Sequence, residues 1–325
     1  MISRRAMIAG SIATVAAAGS GSLKTTLAEV GDKAASTGQK RKFTIDLRGF
    51  SIGVNGDLNE MIDLAAKHKF ESVNADSYFI GQLSEDEIVE LTSRLKEKGL
   101  VWGSTPLPIE FRKDEAKFKD DLALLPKRAA AIQMAGVRRM GTYILPGHNE
   151  LTYLENFKFH ADRLRECAKI LNDHDLRFGI EYVGPQTLRN SSRFPFLHTM
   201  KEARELNNEI GVDNMGLIMD SWHWYTAGET AEDLATLTND EIVACDLNDA
   251  PVGLTIDQQI DQARELPMAT GVIDIKVFLD GMIAAGYDGP IRAEPFNAAL
   301  NALDNDEACE ATRKSIQSAC DLVGR

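Results

Sequence analysis

The sequence predicts a single (β/α)₈ TIM barrel over residues 42–325, because short apolar runs alternate with amphipathic helical patterns throughout this stretch. Eight of the runs have the length and composition of buried parallel strands. They lie at residues 43–45, 72–75, 101–104, 139–144, 178–183, 216–220, 242–247 and 291–295. Helical patterns separate them at residues 58–69, 85–98, 115–135, 154–173 and 272–285, and no strong linker interrupts the alternation.

Local signals mark the ends of several predicted helices. Ser84 followed by Glu87 has the spacing of a capping box, and Gly99 and Gly286 directly follow helical patterns. An open doubly wound sheet is the alternative to a barrel, and it needs a glycine-rich phosphate turn after its first strand. Residues 48–53, with the sequence RGFSIG, match that turn poorly, so the closed barrel is favoured.

Composition and charge narrow the classes of function. The chain has 44% hydrophobic and 26% charged residues, which is typical of a globular protein with a large core. Its formal net charge of -13 and its pI near 5.0 argue against a nucleic-acid-binding protein, which needs a basic face. An acidic chain is compatible with a site that collects carboxylates around a cation.

The amino-terminal segment predicts export rather than a part of the fold. Arg4 and Arg5 precede an apolar stretch, residues 6–18, that is shorter than the roughly 20 residues of a membrane span. Residues 1–28 are interpreted as a signal peptide for the twin-arginine export machinery, with a disordered basic tail as the alternative. Residues 29–41 form a polar linker. The mature protein is expected in the periplasm or outside the cell, with no membrane segment.

The four cysteines invite a disulfide interpretation in an exported protein, but their positions oppose it. Cys309 and Cys320 lie eleven residues apart in one helical pattern, about 16 Å along the axis and beyond disulfide reach. Cys245 lies in an apolar strand, and Cys167 lies in a helical pattern. Free buried thiols are therefore expected.

Acidic residues stand at the ends of four consecutive predicted strands, where the loops of a barrel carry its chemistry. Glu181, Asp220, Asp246 and Glu294 each follow an apolar run. One such acid is commonly a helix cap or part of a surface ion pair. Four acids from adjacent strands would converge on one mouth, where their mutual repulsion is strong. A hard divalent cation with oxygen ligands is the simplest neutraliser, so all four are predicted metal ligands.

Further residues near the same strand ends are candidates for substrate contact. They are Trp222, His223, Trp224, Asn248, Arg264 and His148. His223 lies three residues after Asp220 on the loop face, which favours a role towards substrate or metal over simple core packing. One of the two tryptophans is expected to line the pocket, since sugar rings stack on aromatic faces, and the other to belong to the core. For Arg264 and His148 a surface position is an equal alternative.

These residues resemble the xylose isomerase-like TIM barrel superfamily, in its sugar phosphate isomerase/epimerase branch, over roughly residues 42 to 320. The resemblance implies that Glu181, in the sequence IEY, is the first metal-binding glutamate. It also implies that Asp220 binds metal and His223 contacts substrate within an Asp-x-x-His motif, and that Glu294 is both a ligand and an acid/base. Glu181, Glu294 and His223 would then form the catalytic set. Two further motifs typical of these proteins, GVID and GYDG, lie at residues 271–274 and 286–289.

The sequence departs from the family at one metal ligand. The third ligand of the family is usually a histidine at the end of the seventh strand, and Asp246 occupies that position here. The resemblance then implies a site made of four carboxylates. Such a site favours one Mn²⁺ or Mg²⁺ ion, with Zn²⁺ and Co²⁺ as the alternatives, because Zn²⁺ prefers nitrogen and sulfur ligands.

The resemblance implies a metal-dependent isomerase or epimerase that acts on a keto-sugar, a keto-glycoside or a cyclitol. Glu181 and Glu294 would move a proton next to the carbonyl, one on each face of the reacting carbon, through an enediolate. A lyase or dehydratase with the same enediolate is the first alternative, and a metal-dependent sugar-binding protein without turnover is the second. NMR in deuterated water distinguishes them, since only the binding protein exchanges no proton and only the lyase gives an eliminated product. The sequence leaves open the substrate, its phosphorylation and whether the chain forms a homo-oligomer.

Replacement of both Arg4 and Arg5 by lysine is expected to leave the protein in the cytoplasm, because the arginine pair is the export signal. Immunoblots of separated periplasm and cytoplasm measure the distribution. Lys24→Arg, a basic exchange outside the pair, serves as the control. An unchanged periplasmic yield of the double variant would contradict the twin-arginine interpretation.

Overall fold

The computed structural model describes residues 41–324, in which strands and helices alternate as predicted. The strands are Thr44–Leu47 (β1), Ser72–Val73 (β2), Val101–Trp102 (β3), Thr105–Pro106 (β4), Arg139–Ile144 (β5), Gly147–His148 (β6), Arg177–Tyr182 (β7), Phe194–Pro195 (β8), Met215–Asp220 (β9), Ile242–Leu247 (β10) and Pro290–Ala293 (β11). The α-helices are Leu58–Lys67 (α1), Ser77–Ile80 (α2), Glu85–Glu97 (α3), Glu115–Met134 (α4), Tyr153–Asn172 (α5), Gln186–Arg189 (α6), Met200–Ile210 (α7), Ser221–Thr226 (α8), Ala231–Leu234 (α9), Ile275–Ala284 (α10), Ala298–Asn301 (α11) and Asn305–Asp321 (α12). Short 3₁₀ helices lie at Gly49–Ile52, Asn239–Glu241 and Ile256–Gln258. The predicted signal peptide and the predicted linker up to residue 40 lie outside the described residues.

Nine of these strands form one parallel sheet, in the order β3-β2-β1-β11-β10-β9-β7-β5-β4. The two ends of this order, β3 and β4, belong to one short stretch of chain. Within it the N–H of Gly103 donates to the carbonyl of Val73 at 2.9 Å, and the N–H of Leu107 donates to the carbonyl of Gly141 at 2.8 Å. The stretch therefore joins β2 on one side to β5 on the other. The sheet closes on itself, which confirms the predicted (β/α)₈ TIM barrel.

The three predicted helix signals are present as expected. The Ser84 hydroxyl accepts from the N–H of Glu87, and the Glu87 carboxylate accepts from the N–H of Ser84, so the predicted capping box begins α3. Gly99 and Gly286 have φ values of 72° and 76°, in the left-handed region that favours glycine. Local sequence signals thus determine where these helices begin and end.

The last predicted barrel helix begins later than expected. The helical pattern starts at residue 272, but α10 starts at Ile275. Asp274 caps the helix, since its side chain accepts from the N–H of Val277 at 3.1 Å. Residues 272–274 therefore belong to the long loop between β10 and α10, which carries several site residues.

The apolar core confirms the expectation about the thiols. Cys167, Cys245, Cys309 and Cys320 are all free and buried. Cys309 and Cys320 both lie on α12, as predicted. Among residues 41–324, no helix combines the length and the apolar character that a membrane crossing requires.

The strand register brings charged residues of the later strands to one level of the barrel. Asp246 in β10 lies opposite Asp220 of β9 on one side and opposite Arg292 of β11 on the other. Because all these strands run parallel, their carboxyl ends meet at the same mouth. The strands alone, without any loop residue, therefore bring acidic side chains together at this mouth.

Candidate active site

Four carboxylates, the predicted metal ligands, converge at this mouth. Glu181 lies near the end of β7, Asp220 ends β9, Asp246 lies in β10 and Glu294 directly follows β11, and all four are buried. The candidate ligand atoms of Glu181, Asp220 and His223 all lie within 4.8 Å of one another. The same holds for those of Glu181, Asp246 and Glu294. Glu181 is common to both groups, so it lies at the centre of the cluster.

Asp246 is paired with a buried arginine that was not among the predicted site residues, Arg292. The Nε and Nη2 atoms of Arg292 donate to the two carboxylate oxygens of Asp246 at 2.6 and 3.1 Å. Burial by itself favours the neutral acid, but the charge and hydrogen bonds of Arg292 hold the pKa of Asp246 below its usual range. Asp246 is therefore an ionised carboxylate with both oxygens engaged.

Glu294 is paired with a second unexpected arginine. Arg48, directly after β1, forms an ion pair with Glu294 through Nη1 and Oε1. The same Nη1 atom lies 4.0 Å from Oδ2 of Asp246. The side chain of Arg48 is 27% exposed, whereas that of Glu294 is 7% exposed. Arg48 thus lies at the opening of the acidic cluster and Glu294 beneath it.

Arg264 is a buried part of the cluster, so the surface alternative for this residue is wrong. Its Nη1 lies 2.9 Å from Oδ2 of Asp220 and 3.5 Å from Oε2 of Glu294. Its Nη2 lies 2.8 Å from Oδ1 of Asp261. The guanidinium also lies 4.8 Å from the centroid of the Phe296 ring. Arg264 links two of the four predicted metal ligands to each other.

The loop that carries Arg264 is held by the carboxylate of Asp249. Its Oδ2 accepts from the N–H groups of Thr270 and Gly271 at 2.9 and 2.7 Å. Its Oδ1 accepts from those of Ala250 and Ile273 at 2.8 and 3.0 Å. Asp249 is fully buried. One side chain therefore joins both ends of the loop, and its role is structural.

Asn248 connects the carboxylate of Asp220 to the backbone of Glu294 rather than facing open space. Its Nδ2 donates to both carboxylate oxygens of Asp220, at 3.0 and 3.2 Å. Its Oδ1 accepts from the backbone N–H of Glu294 at 2.9 Å. The residue is fully buried. The structure places this predicted substrate-binding residue beneath the acids, where it orients them.

His223 is brought to the cluster as predicted, but in a buried position. Its Nε2 lies 3.8 Å from Oδ2 of Asp220 and 3.5 Å from Nη2 of Arg264. Its Nδ1 accepts from the N–H of Gly184 at 3.2 Å. Burial, and then the nearby charge of Arg264, lower the pKa of His223 to about 3. The imidazole is therefore neutral and serves as a hydrogen-bonding or ligand group.

Three other predicted contact residues do not line the cavity at the mouth. Trp222 and Trp224 are 0% and 7% exposed and belong to the apolar core. The expectation that one tryptophan lines the pocket is therefore wrong, because helix α8 turns both indoles inward to bury their apolar surface. His148 lies on β6, and its Nδ1 accepts from the N–H groups of Glu150 and Leu151 at 3.0 and 2.8 Å. This histidine stabilises a turn.

Glu181 is the one predicted ligand without a charged or hydrogen-bonding partner among the described residues. Its Oε1 is buried and unpartnered. Burial, and then the negative charges of Glu294, Asp246 and Asp220, raise the pKa of Glu181 well above its usual range. A buried, unpartnered carboxylate oxygen among three other acids is a position where a cation relieves repulsion. The residues present therefore fit a divalent cation bound at Glu181.

A cavity of about 860 Å³ opens at the same end of the barrel. Glu181, Arg48 and Arg292 line it, whereas Asp220, His223 and Arg264 do not. The rest of its wall comes from the loops after β1, β2 and β4 and from strand β5. A volume in the upper part of the roughly 300–1,000 Å³ range of small-molecule sites accommodates a substrate. Glu181 is thus the carboxylate through which the acidic cluster reaches the cavity.

Asp46 is a further buried acid that the sequence analysis missed. It lies in β1, is 1% exposed, and neither carboxylate oxygen has a hydrogen-bond partner among the described residues. A Cβ atom at Gly103 would overlap the carboxylate, so glycine at that position leaves the space for it. Burial raises the pKa of Asp46 to about 7, against the lowering effect of Arg292. This buried acid is therefore close to its ionisation midpoint at neutral pH.

A weak signal for the missed residues was present in the sequence. Arg292 interrupts the apolar strand that precedes Glu294, and Arg48 lies three residues after the first predicted strand, which ends at residue 45. A charged residue inside a predicted barrel strand needs a buried partner, and that rule would have found Arg292. Asp46 and Arg48 lie just beyond the first predicted strand, residues 43–45, which is a weaker indication.

Comparisons with known proteins agree with this geometry. The family model described as xylose isomerase-like TIM barrel matches residues 62–319. An inosose isomerase of Bacillus velezensis is 21% identical over 271 residues, which cover 81% of this chain and 92% of that protein. A 3-dehydroshikimate dehydratase of Pseudomonas aeruginosa is 29% identical over 145 residues, which cover 44% of this chain and 21% of that protein. The named relatives are thus an isomerase and a dehydratase.

Solved structures share the fold over most of the chain. A xylose isomerase domain protein from Alicyclobacillus acidocaldarius has a TM-score of 0.78 and 28% identity, and the match covers 87% of this chain and 100% of that one. The IOLI protein, described with a bound zinc atom, has a TM-score of 0.70 and 19% identity. That match covers 86% of this chain and 98% of the other, and it shows a common fold.

Asp46→Asn is expected to stabilise the protein more at alkaline pH than at acidic pH. The pKa of Asp46 in the folded protein, about 7, exceeds its usual value of 3.8, so folding retains a proton that the unfolded chain releases between these values. The ionisable acid therefore costs stability progressively as pH rises from about 4 to about 7. The increase in the free energy of unfolding that Asp46→Asn brings should grow over the same pH range, to at most about 4 kcal/mol. Urea unfolding at about pH 5 and about pH 8 measures it.

Asp120→Asn, an exposed aspartate on α4, is the matched control. Its unfolding midpoints are expected to follow those of the parent protein at both pH values. A gain for Asp46→Asn that is equal at the two pH values would contradict the assignment of a buried acid with a raised pKa.

Proposed function

The chain belongs to the xylose isomerase-like TIM barrel family, and we propose that it is a metal-dependent isomerase or epimerase acting on a keto-sugar, a keto-glycoside or a cyclitol. The observation that carries this proposal is the position of Glu181. It combines a buried carboxylate oxygen without a partner, a place in the cavity wall and close approach to Glu294. A base that exchanges a proton with a bound substrate needs all three properties.

We propose that one divalent ion is held at Glu181, Asp220, Asp246 and Glu294. A bound Mn²⁺ or Mg²⁺ ion, with Zn²⁺ or Co²⁺ as the alternatives, would polarise the substrate carbonyl and stabilise negative charge on its oxygen. Asp246 can contribute only the lone pairs that Arg292 leaves free, since both of its oxygens already accept from that side chain. Glu181 has no such restriction, which makes it the principal ligand of the proposed set.

The proton transfer is assigned to Glu181 and Glu294. Arg48 and Arg264 both contact Glu294, so the position of its carboxylate is fixed. Glu181 has neither contact and can take up or release a proton at Oε1. With the reacting carbon between them, one carboxyl group removes a proton and the other returns it, through an enediolate. Burial of both groups keeps bulk water away from that intermediate.

A lyase or dehydratase is the second candidate, because one similar protein is a 3-dehydroshikimate dehydratase. Both reactions begin with removal of a proton next to a carbonyl. They differ in the next step, which is either reprotonation or loss of a leaving group from the neighbouring carbon. NMR in deuterated water decides between them, since an epimer or isomer contains one solvent deuterium and an eliminated product shows a new alkene signal.

Glu181→Gln and Glu294→Gln are each expected to lower turnover by about 10²–10⁴-fold, the usual cost of losing a general base. Their residual chemistry should differ, because one variant retains the base for a given substrate and the other does not. The variant that keeps the base is expected to exchange the substrate proton with deuterated water without forming product. The other should do neither, and the two roles should interchange in the reverse direction.

Exchange is measured by NMR, and metal content is measured on the same samples. Glu150→Gln, an exposed glutamate outside the cavity, is the control and should keep full activity. Near-normal turnover of both glutamine variants with metal bound would rule out the assigned acid/base pair. Proton transfer would then have to be assigned to a different residue.

The metal prediction tests the two groups of candidate ligands against each other. The purified protein is expected to contain about one divalent ion per chain, to lose activity with a chelator and to recover best with Mn²⁺ or Mg²⁺. Asp246→His should shift the preference towards Zn²⁺ or Co²⁺, because imidazole is a softer ligand. Elemental analysis after exhaustive desalting measures the bound metal.

Asp246→Ala and His223→Ala are the deciding pair. Asp246→Ala should reduce metal affinity, while His223→Ala should leave metal content near that of the parent protein and lower turnover or raise KM. An unchanged metal affinity of Asp246→Ala would exclude Asp246 as a ligand. Loss of metal from His223→Ala would assign the ion to Glu181, Asp220 and His223.

A further inference from the structure

We propose that the cavity contains a second, aromatic subsite, and that the substrate is a glycoside whose neutral second ring binds there. Here the second ring is either an aryl group or another sugar, and the subsite consists of Phe50, Tyr78, Phe79 and Tyr143. The inference rests on the proposed function, because it places the reacting sugar ring at Glu181. It selects the glycoside among the three proposed substrate classes.

The distribution of exposed aromatic side chains is the first observation. Within residues 41–324, four aromatic residues count as exposed, and they are Phe50, Tyr78, Phe79 and Tyr143, at 87%, 45%, 37% and 47%. All four line the single cavity that also reaches Glu181. The other exposed large apolar residues of this part of the chain are aliphatic. Aromatic surface is costly to leave in water, so its concentration in one cavity indicates a ligand.

The four side chains come from separate parts of the barrel. Phe50 lies on the 3₁₀ helix after β1, Tyr78 and Phe79 lie on α2 after β2, and Tyr143 lies on β5. The acid/base pair comes from the opposite half, on β7 and directly after β11. A substrate that reaches both halves has its reacting part at Glu181 and another part among the aromatic rings.

Two rings of the subsite, those of Tyr143 and Tyr78, each lie against an arginine. The guanidinium of Arg112 lies 4.1 Å from the centroid of Tyr143 and 4.2 Å from that of Phe111. Arg112 is itself fixed, since its Nη2 donates to the hydroxyl of Thr142 at 3.0 Å. Such backing orients an aromatic ring without a bound ligand, which lowers the entropy lost when a ligand stacks on it.

Tyr78 has a similar support from Arg128, whose guanidinium lies 5.3 Å from the ring centroid. Arg128 is anchored by Nη1, which donates to the carbonyl of Pro108 at 2.7 Å. The rings of Tyr78 and Tyr143 are therefore supported side chains in a cavity wall. This arrangement is that of a binding surface rather than of loosely placed loop residues.

The polar residues of the same wall define the charge of the second ring. Asn55, Asp57, Asp76 and Glu110 line the cavity beside the aromatic residues. Three arginines also line it, and each is paired with a carboxylate: Arg48 with Glu294, Arg112 with Glu110 and Arg292 with Asp246. Carboxylates accept hydrogen bonds from hydroxyl groups, and amides both accept and donate them. Asp57 and Asp76, which have no arginine or lysine partner among the described residues, repel an anionic substituent. The combination therefore fits a neutral hydroxylated or aryl ring and disfavours a phosphorylated one.

The volume of the cavity agrees with a substrate of two rings. It measures about 860 Å³, within the upper part of the roughly 300–1,000 Å³ range that holds drug-sized ligands. A monosaccharide or a cyclitol at Glu181 would leave the aromatic half of this space in contact with water. A glycoside fills both halves and buries the exposed rings.

The test compares two unreactive probes, phenyl β-D-glucopyranoside and methyl β-D-glucopyranoside, with the full chain by saturation-transfer-difference NMR. Phenyl glucoside is expected to bind at least about threefold tighter, with the strongest saturation on its aromatic protons. Phe50→Ala and Tyr143→Ala should each lower the affinity for phenyl glucoside by about threefold to tenfold and leave the affinity for methyl glucoside unchanged. Leu154→Ala, an exposed apolar residue outside the cavity, is the matched control and should change neither.

Equal binding of the two probes, or no binding of either, overturns the inference. So does an equal effect of Phe50→Ala and Leu154→Ala. Sedimentation at several concentrations tests a second copy of the chain as the occupant, and a dimer that Phe50→Ala dissociates would also overturn the inference. None of these outcomes depends on turnover. The proposed function fails separately, if keto-sugars and keto-glycosides exchange no proton with deuterated water.

Discussion

The balance of buried charge at the barrel mouth is the constraint on which the rest of the site depends. The parallel register brings Asp220, Asp246 and Arg292 to one level, where an unpaired charge costs several kcal/mol. Arg292 satisfies both oxygens of Asp246, and Arg264 joins Asp220 to Glu294. Glu181 remains without a partner among the described residues. The unequal pairing, rather than the number of acids, makes one carboxylate chemically available.

The mouth is divided between two halves of the barrel. The charged cluster belongs to the later strands, β7 to β11, and most of the cavity wall belongs to the earlier ones, β1 to β5. Glu181 and Arg292 are the points where the two halves meet, since both belong to the cluster and line the cavity. Arg48 is the exception in the first half, because it forms an ion pair with Glu294. The four aromatic residues of the first half have no ion pair with the cluster, so they can change without disturbing its charge balance. In the proposed function, recognition of the substrate and the chemistry performed on it would fall to different halves of the barrel.

The sequence was sufficient for the barrel and for the four acids, because both follow from local patterns. A strand repeats its apolar character over a few residues, and an acid at its end needs no partner to be noticed. Arg48 and Arg292 were missed because their partners are distant in sequence. Arg292 binds Asp246, which lies 46 residues earlier in the chain, and this pairing depends on which strands become neighbours in the sheet. The buried position of Trp222 was also not predictable from local sequence, because the direction of its side chain depends on how α8 packs after Asp220.

The four hydrogen bonds to Asp249 have a consequence for the thermodynamics of binding. They fix residues 250, 270, 271 and 273 to one carboxylate, so the loop that carries Arg264 loses its conformational freedom during folding. A ligand then meets a loop that is already ordered and loses less entropy on association. Tight binding is usually attributed to groups that touch the ligand. Here part of it would come from an aspartate that touches only the backbone, and its contribution would appear in the entropy of binding rather than in the enthalpy.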